Sequence, residues 1–253
     1  MNKFSFQNLR VYNDLTRFIA SSEEVVSDWD KAHAIVDHFQ RASEGAIVCL
    51  AEACRHQRLP AKQHAIDCSA GSILECAACF DIARIKGLCR DAEATAVKNQ
   101  LGSVFRQLVA LRHSWEKLEI QEEESGYEVT YVFNHERLEV YQLSLQVNEK
   151  LVVMHILERL PRGDFRRLDE PAASLLLNIA EGNGRFAHYD HSRFLEIANQ
   201  ATTRLAARLD VCALRDKIEK EAADGVVGLL VSIDRMTAKL AEVWREKKCS
   251  EVF

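Results

Sequence analysis

The chain has 253 residues, of which 47% are hydrophobic and 28% charged, and its formal net charge is -5. These values are normal for a globular protein and exclude disordered, collagen-like and low-complexity classes. The acidic balance argues against a globally basic nucleic-acid binder, although a local basic patch is compatible with it. Only 3 prolines and 10 glycines interrupt a chain rich in helix-forming residues, which predicts an almost wholly helical protein.

The sequence contains no signal for membrane insertion or secretion. No apolar run approaches the ~20 residues that span a bilayer. The opening residues MNKFSFQNLRVYNDL are polar and charged where a signal peptide would be apolar. Eight cysteines in such a chain indicate reduced thiols and not a disulfide framework. We therefore expect a cytoplasmic protein with no membrane partner.

Similar segments recur at an offset of 129 residues, which indicates an internal duplication. The matched segments are Leu9–Tyr12 with Leu138–Tyr141, Leu50–Glu52 with Ile179–Glu181, Phe80–Ile82 with Leu209–Val211, and Trp115 with Trp244. We predict one module at residues 1–125 and a second at residues 131–253. The acidic stretch 122–127, which contains a glycine, is expected to join them.

Four helices are predicted in the first module. Pro60 is expected between the second and third of them. Apolar residues at alternating steps of four and three then predict a bundle seam on the fourth helix. They are Val97, Leu101, Val104, Leu108, Leu111, Trp115 and Leu118.

Four helices are predicted in the second module as well. The segment 161–163 is expected between its first two helices, and Pro171 in a first turn or at a kink. Apolar faces are predicted on the last two helices, at Phe194, Ala198, Ala201, Leu205, Leu209 and Cys212, and at Val226, Leu230, Ile233, Thr237, Leu240 and Trp244. The predicted fold class is all-α, as two tandem antiparallel four-helix bundles.

The segment from Asn178 to Arg185, followed by Ser192 to Ala198, resembles the four-helix-bundle proteins of the rRNA intervening-sequence family. That family includes the accessory variability determinant protein of diversity-generating retroelements. In the first module, the segments 6–12, 70–76 and 81–83 also resemble it. The resemblance implies a small non-enzymatic bundle that commonly assembles into rings and, as in the retroelement member, acts with a reverse transcriptase and nucleic acid. The acidic charge of this chain departs from that pattern.

The segment NIAEGNGRF has two interpretations. Gly182 and Gly184 are expected to let the chain leave a helix through positive φ, and Glu181 to pair with Arg185 across the turn. The first interpretation is a structural turn between helices. The second is a loop that contacts a phosphate or a protein partner through Arg185, His188, His191 and Arg193.

Four arginines of the predicted third helix of the second module fall within a narrow arc beside its apolar face. They are Arg193, Arg204, Arg208 and Arg215, and the first module has His64, Glu75, Cys79 and Lys86 at the matching positions. The arginines are interpreted as solvated charge, as a contact for an acidic protein surface, or as a contact for nucleic-acid phosphates. Together with Arg185, His188 and His191 they form the predicted nucleic-acid or partner-binding site.

Six cysteines lie in the first module: Cys49, Cys54, Cys68, Cys76, Cys79 and Cys89. Cys76 and Cys79 form a CxxC in mid-helix, where the helix N-terminus that activates redox thiols is lacking. No second pair completes a zinc set, and His188 and His191 have no carboxylate at matching spacing. Core packing is the favoured interpretation of the cysteines, with metal or redox use as the alternative. No cofactor or metal is expected.

No nucleophile elbow, P-loop or dinucleotide fingerprint occurs in the sequence, and we expect no enzymatic activity. The leading hypothesis is a helical adaptor that oligomerises and engages a reverse transcriptase or another nucleic-acid enzyme, together with RNA or DNA. One alternative is a metal- or redox-dependent bundle that uses the thiols of the first module. Another is a purely structural subunit of a larger complex.

Overall fold

The computed structural model describes residues 4–31, 33–119, 133–157, 160–185 and 188–250; residues 116–119, 134, 188–190 and 243–250 are described by their backbone alone. Within these ranges the elements are helices and no β-strand occurs, so the predicted all-α class is confirmed. None of the helices described is both long and apolar enough to cross a bilayer. The predicted joint, residues 122–127, lies outside the described residues.

Eight α-helices and two short 3-10 helices make up the described ranges. The α-helices are α1 (Arg10–Val26), α2 (Ala34–Arg55), α3 (Leu59–Ile85), α4 (Asp91–Glu119), α5 (Glu139–Leu157), α6 (Arg162–Asn183), α7 (His188–Leu214) and α8 (Lys220–Ser250). The 3-10 helices, Ser5–Asn8 and Asn134–Arg137, precede α1 and α5.

Each helix packs against neighbours in its own half of the chain. Helix α1 packs against α2 and α4, and α3 packs against α2 and α4. In the same way α5 packs against α6 and α8, and α7 packs against α6 and α8. The two halves meet where α3 contacts α5 and α6, with a smaller contribution from α2 against α6.

The ends of α3 and α7 have the same backbone geometry. Gly87 and Asp216, 129 residues apart, are the residues with left-handed backbone among those described, with φ of 67° and 51°. The following amide donates to a carbonyl five residues earlier in each case, from Leu88 to Ala83 at 2.8 Å and from Lys217 to Cys212 at 3.0 Å. This is a common way to end an α-helix. Each half therefore turns sharply at the same point.

Apolar faces explain the packing of the other helices. On α4 the predicted seam is buried from Val97 to Leu108, Trp115 is half-buried, and the side chain of Leu118 lies outside those described, as does that of Trp244 on α8. On α7 the predicted apolar residues from Ala198 to Cys212 are buried. Burial of such stripes supplies most of the stability of helices in proteins.

Helix α3 is buried on nearly all sides and consists largely of small residues between Ala65 and Ala83. Small side chains let neighbouring backbones approach closely, and Ser69 Oγ donates to the carbonyl of Ala46 on α2 at 2.8 Å. At the far end of α3, the ring of Phe80 meets that of Trp29 with centroids 5.1 Å apart. Helix α3 is the element shared by both halves of the core.

Two prolines occupy positions with different consequences. Pro60 lies in the first turn of α3, close to the predicted boundary, where its missing N–H costs nothing. Pro171 lies well inside α6, so the expectation of a first-turn position is wrong. Because Pro171 has no N–H, the carbonyl of Arg167 loses its helical donor. The Arg208 guanidinium on α7 donates to that carbonyl instead, which satisfies the acceptor that the proline leaves.

Candidate functional site

The contact between the halves contains buried polar groups, and one cluster is centred on Asp81 of α3. The Tyr141 hydroxyl, on α5, donates to Asp81 Oδ2 at 2.8 Å. Lys98 Nζ, on α4, lies 2.8 Å from Asp81 Oδ1 and 2.6 Å from Glu136 Oε1. Burial alone lowers the pKa of Lys98, but the two carboxylates outweigh burial and raise it. The ammonium group is therefore held charged between the two halves.

A second buried ion pair lies at the end of α3. Lys86 Nζ contacts Asp169 Oδ1 on α6, and both side chains are almost fully buried. His33 Nδ1 is 3.8 Å from the other carboxylate oxygen of Asp169. Burial raises the pKa of Asp169, but hydrogen bonding from His33 and the charge of Lys86 outweigh it, so the net shift is downward. Removing one partner of such a pair leaves an uncompensated buried charge.

The third contact joins the middle of α3 to the end of α6. A Cβ placed on Gly184 would lie 2.9 Å from the Cα of Gly71, so the two backbones nearly touch. Gly184 has φ -83°, and neither it nor Gly182 has positive φ, so that expectation is wrong. A Cβ on Gly182 would lie 2.9 Å from Phe194 Cβ. These glycines are required for close approach and not for a left-handed turn.

Arg185 follows this contact and is buried, with 8% of its surface exposed. Its guanidinium pairs with Glu181, as the sequence predicted, and lies 4.9 Å from the Phe194 ring centroid. A Cβ on Gly71 would lie 2.8 Å from Arg185 Nε. Burial, and the nearby charge of Glu75, raise the pKa of Glu181 to about 7. Arg185 is therefore an internal contact between the halves and not a group presented to solvent.

The other predicted site residues are in α7 or just after it. Arg193, Arg204 and Arg215 are exposed and His191 is half-buried, while the side chain of His188 lies outside those described. Arg208 is half-buried and engaged by Glu170 Oε2 at 2.8 Å and by the freed carbonyl. The structure thus presents three of the four arginines on one helix and uses the fourth to hold α6.

The 129-residue offset relates the exposed side of α7 to the side of α3 that contacts the second half. Gly71, Leu74, Asp81 and Lys86 all make such contacts. Their equivalents, Gln200, Thr203, Asp210 and Arg215, are all exposed, and so are the neighbouring Arg204, Val211 and Leu214. Leu214 is 83% exposed, which is unusual for a leucine that has no function on the surface. We call these seven exposed residues the α7 face.

The complementary side shows the same difference. In the second half, Phe133, Tyr141, Asp169, Leu177 and Glu181 are buried or nearly so. Their equivalents in the first half are exposed or half-exposed: Phe4, Tyr12, Gln40, Val48 and Glu52. The contrast is largest for Phe4, which is 63% exposed where Phe133 is 2% exposed. We call these five residues the N-terminal face.

The predicted CxxC cysteines are packing residues in this structure. Cys76 and Cys79 are fully buried, and burial raises the pKa of both thiols. Among the described residues, no group of three or more histidine, cysteine or acidic side chains is placed to hold a metal ion. The cysteines that gather other polar groups are Cys49 and Cys68, on the facing sides of α2 and α3.

Sequence reasoning did not identify the buried contacts of Asp81, Lys86 and Asp169. A signal for one of them was present, because Tyr12 and Asp81 each recur at the offset, as Tyr141 and Asp210. A tyrosine and an aspartate kept in both copies suggest a repeated hydrogen bond, yet spacing alone does not show that it joins one module to the next.

A scan of protein-family models found no match to this chain, and neither curated proteins nor solved structures gave one.

Proposed function

We propose that this protein is a non-enzymatic helical adaptor made of two fused antiparallel four-helix bundles, residues 1–125 and 131–253, that assembles with further copies of itself. The neighbour relations support this organisation, because each set of four helices packs in the same cyclic order. Helix starts at Arg10, Leu59 and Asp91 recur 129 residues later at Glu139, His188 and Lys220. A duplicated bundle accounts for this recurrence.

The observation that carries the self-assembly proposal is the different burial of equivalent faces. Inside one chain, α3 binds the second half through a surface that the second half repeats, exposed, as the α7 face. The surface that α3 binds is repeated, exposed, as the N-terminal face. A second copy would therefore dock its N-terminal face on the α7 face, and Tyr12 would donate to Asp210 as Tyr141 donates to Asp81.

Charge favours this head-to-tail contact. Within the chain, the equivalent position brings Glu75 near Glu181, and the two carboxylates repel. Between copies, Arg204 would take the place of Glu75 and Glu52 that of Glu181, which makes the interaction attractive. Such a contact joins different surfaces of two subunits and generates a closed ring or an open chain, depending on its rotation.

The mass of the protein over a concentration series tests the proposal. We expect species heavier than one chain at micromolar concentration, and a shift to single chains in Asp210→Lys. Arg235→Glu on α8 is the matched control, an exposed charge reversal outside the α7 face, and should assemble as wild type. Gln40→Asp is expected to strengthen assembly, because Arg215 would then meet a carboxylate as Lys86 meets Asp169. A wild-type chain that stays single at micromolar concentration would refute the proposal.

The resemblance to the rRNA intervening-sequence family extends the proposal to an external partner, a reverse transcriptase or another nucleic-acid enzyme in the cytoplasm, together with RNA or DNA. Arg193 lies before the part of α7 that corresponds to the contacts of α3, so it stays accessible in the proposed assembly. We expect the external partner to contact the assembly through this end of α7, near His191.

An RNA mobility shift at several salt concentrations tests for nucleic acid. Arg193→Glu is expected to weaken RNA binding while the mass distribution stays that of wild type. Arg204→Glu with Arg215→Glu is expected to change the mass distribution. Each lost phosphate contact should lower the slope of log K against log salt by about 1. Absence of any salt-dependent shift would favour a structural subunit without nucleic-acid contact.

A further inference from the structure

Cys49 and Cys68 lie at a tight contact between α2 and α3. A Cβ on Gly45 would lie 3.3 Å from Ser72 Oγ, which shows how closely the two helices pack there. The two thiols are joined by a hydrogen bond. Both cysteines are half-buried, so small molecules can reach them, in contrast to the buried Cys76. Two thiols on different helices are therefore close together and accessible.

Positive and hydrogen-bonding groups surround Cys68. His64 Nε2 is 3.7 Å from its sulfur, and the buried guanidinium of Arg185 hydrogen-bonds to it from α6. Arg185 Nε has no hydrogen-bond partner, although the side chain is more than nine-tenths buried. The hydrogen bond from Cys49, with the charges of Arg185 and His64, lowers the pKa of Cys68 despite its burial. The thiolate is the nucleophilic form of cysteine.

We propose that Cys49 and Cys68 form a peroxide-reactive dithiol, which oxidises to a disulfide between α2 and α3. In the first step the Cys68 sulfur attacks one oxygen of hydrogen peroxide and the O–O bond breaks. Hydroxide leaves and takes up a proton as water, and Cys68 becomes a sulfenic acid. In the second step the Cys49 sulfur loses its proton and attacks the Cys68 sulfur, and the oxygen leaves as a second water. Two thiols are oxidised as one peroxide is reduced.

The reaction has a consequence at the contact between the halves. While Cys68 is a thiolate, Arg185 is stabilised by Cys68 on α3 and by Glu181 on α6. The disulfide removes the charge on Cys68 and leaves Arg185 with Glu181 alone. Oxidation therefore acts on a residue of the second half through two cysteines of the first.

Peroxide treatment of the full folded chain, followed by alkylation and peptide mapping, tests the proposal. We expect a linked peptide pair containing Cys49 and Cys68, with Cys76 and Cys79 alkylated only after unfolding. Cys49→Ser should stop at a sulfenic acid on Cys68 that dimedone traps. Cys68→Ser should give no linkage, and Cys54→Ser, which changes another half-buried cysteine of α2, should react as wild type.

The pH dependence of alkylation in the wild-type fold gives an independent measurement. We expect Cys68 to react at least tenfold faster than Cys54 near neutral pH, and His64→Gln, a change at an exposed residue, to slow Cys68. Equal rates for the two cysteines would overturn the proposal. So would a disulfide that maps to any other pair.

Discussion

His135 provides a quantitative test of how the contact between the halves is built. The imidazole is 0% exposed, neither ring nitrogen has a hydrogen-bond partner, and its ring lies 4.7 Å from that of Tyr141. Burial, with the nearby charge of Lys98, lowers the pKa of His135 to about 3. The equivalent residue of the first half is Phe6, so His135→Phe is a substitution that the fold already contains.

The sign of the effect follows from the direction of the shift. Because the folded pKa of His135 lies below the unfolded value of about 6.5, the unfolded chain binds the extra proton and stability is lost as pH falls. The loss approaches about 1.4 kcal/mol for each pH unit below about 6.5, which gives about 2 kcal/mol at about pH 5. His135→Phe should lack this loss. It should also be more stable at neutral pH by about 1–3 kcal/mol, because it removes two buried polar atoms without partners.

Urea unfolding followed by circular dichroism, repeated from about pH 7.5 to about pH 5, measures both quantities. The informative result is the difference between wild type and variant at each pH, since other groups titrate equally in both. Phe133→Leu is the control, because it changes a ring stacked on His135 without changing a titratable group. Its cost should be the same at every pH. A constant difference between wild type and His135→Phe across the range would refute the reasoning.

Three further predictions concern the same contact, and urea unfolding checks each of them. Gly184→Ala should cost about 1–3 kcal/mol because its methyl would strike backbone, while Gly228→Ala, in open space on α8, should gain up to about 1 kcal/mol. Lys86→Met should cost about 3–5 kcal/mol, and the double variant with Asp169→Leu should recover most of that loss; no recovery would contradict the ion pair. The raised pKa of Glu181, about 7, means that the folded state binds its proton more tightly, so this residue lowers stability as pH rises from about 4.5 to about 7. Glu181→Gln should abolish that decline, and an unchanged pH profile would count against it.

The all-helical fold and the main apolar faces could be predicted because they depend on local periodicity. Val97 to Leu108 are buried as their spacing indicated, and Pro60 lies near a predicted helix boundary. Local patterns report which face of a helix is apolar. They do not report which neighbour covers it, so the uneven burial of α3 and α7 was not predictable from either helix alone.

The residues of the contact illustrate what the sequence left open. Gly184 was expected to adopt a left-handed conformation, whereas its requirement is the nearby backbone of Gly71, which is distant in sequence. Arg185 was correctly paired with Glu181, since both lie on one turn of chain, but its burial depends on α3. Charge and spacing were read correctly there, and the tertiary surroundings that decide accessibility were not contained in them.

The helix-breaking residue inside α6 makes one arginine's role conditional on another position. Arg208 is held in place by the acceptor that Pro171 leaves open, so its contribution depends on that proline being present. An alanine at 171 would restore the missing donor and release the guanidinium to solvent, adding a third free positive charge between Arg204 and Arg215. In evolution the two sites should show epistasis: the same change at 208 would be harmful in one genetic background and neutral in the other.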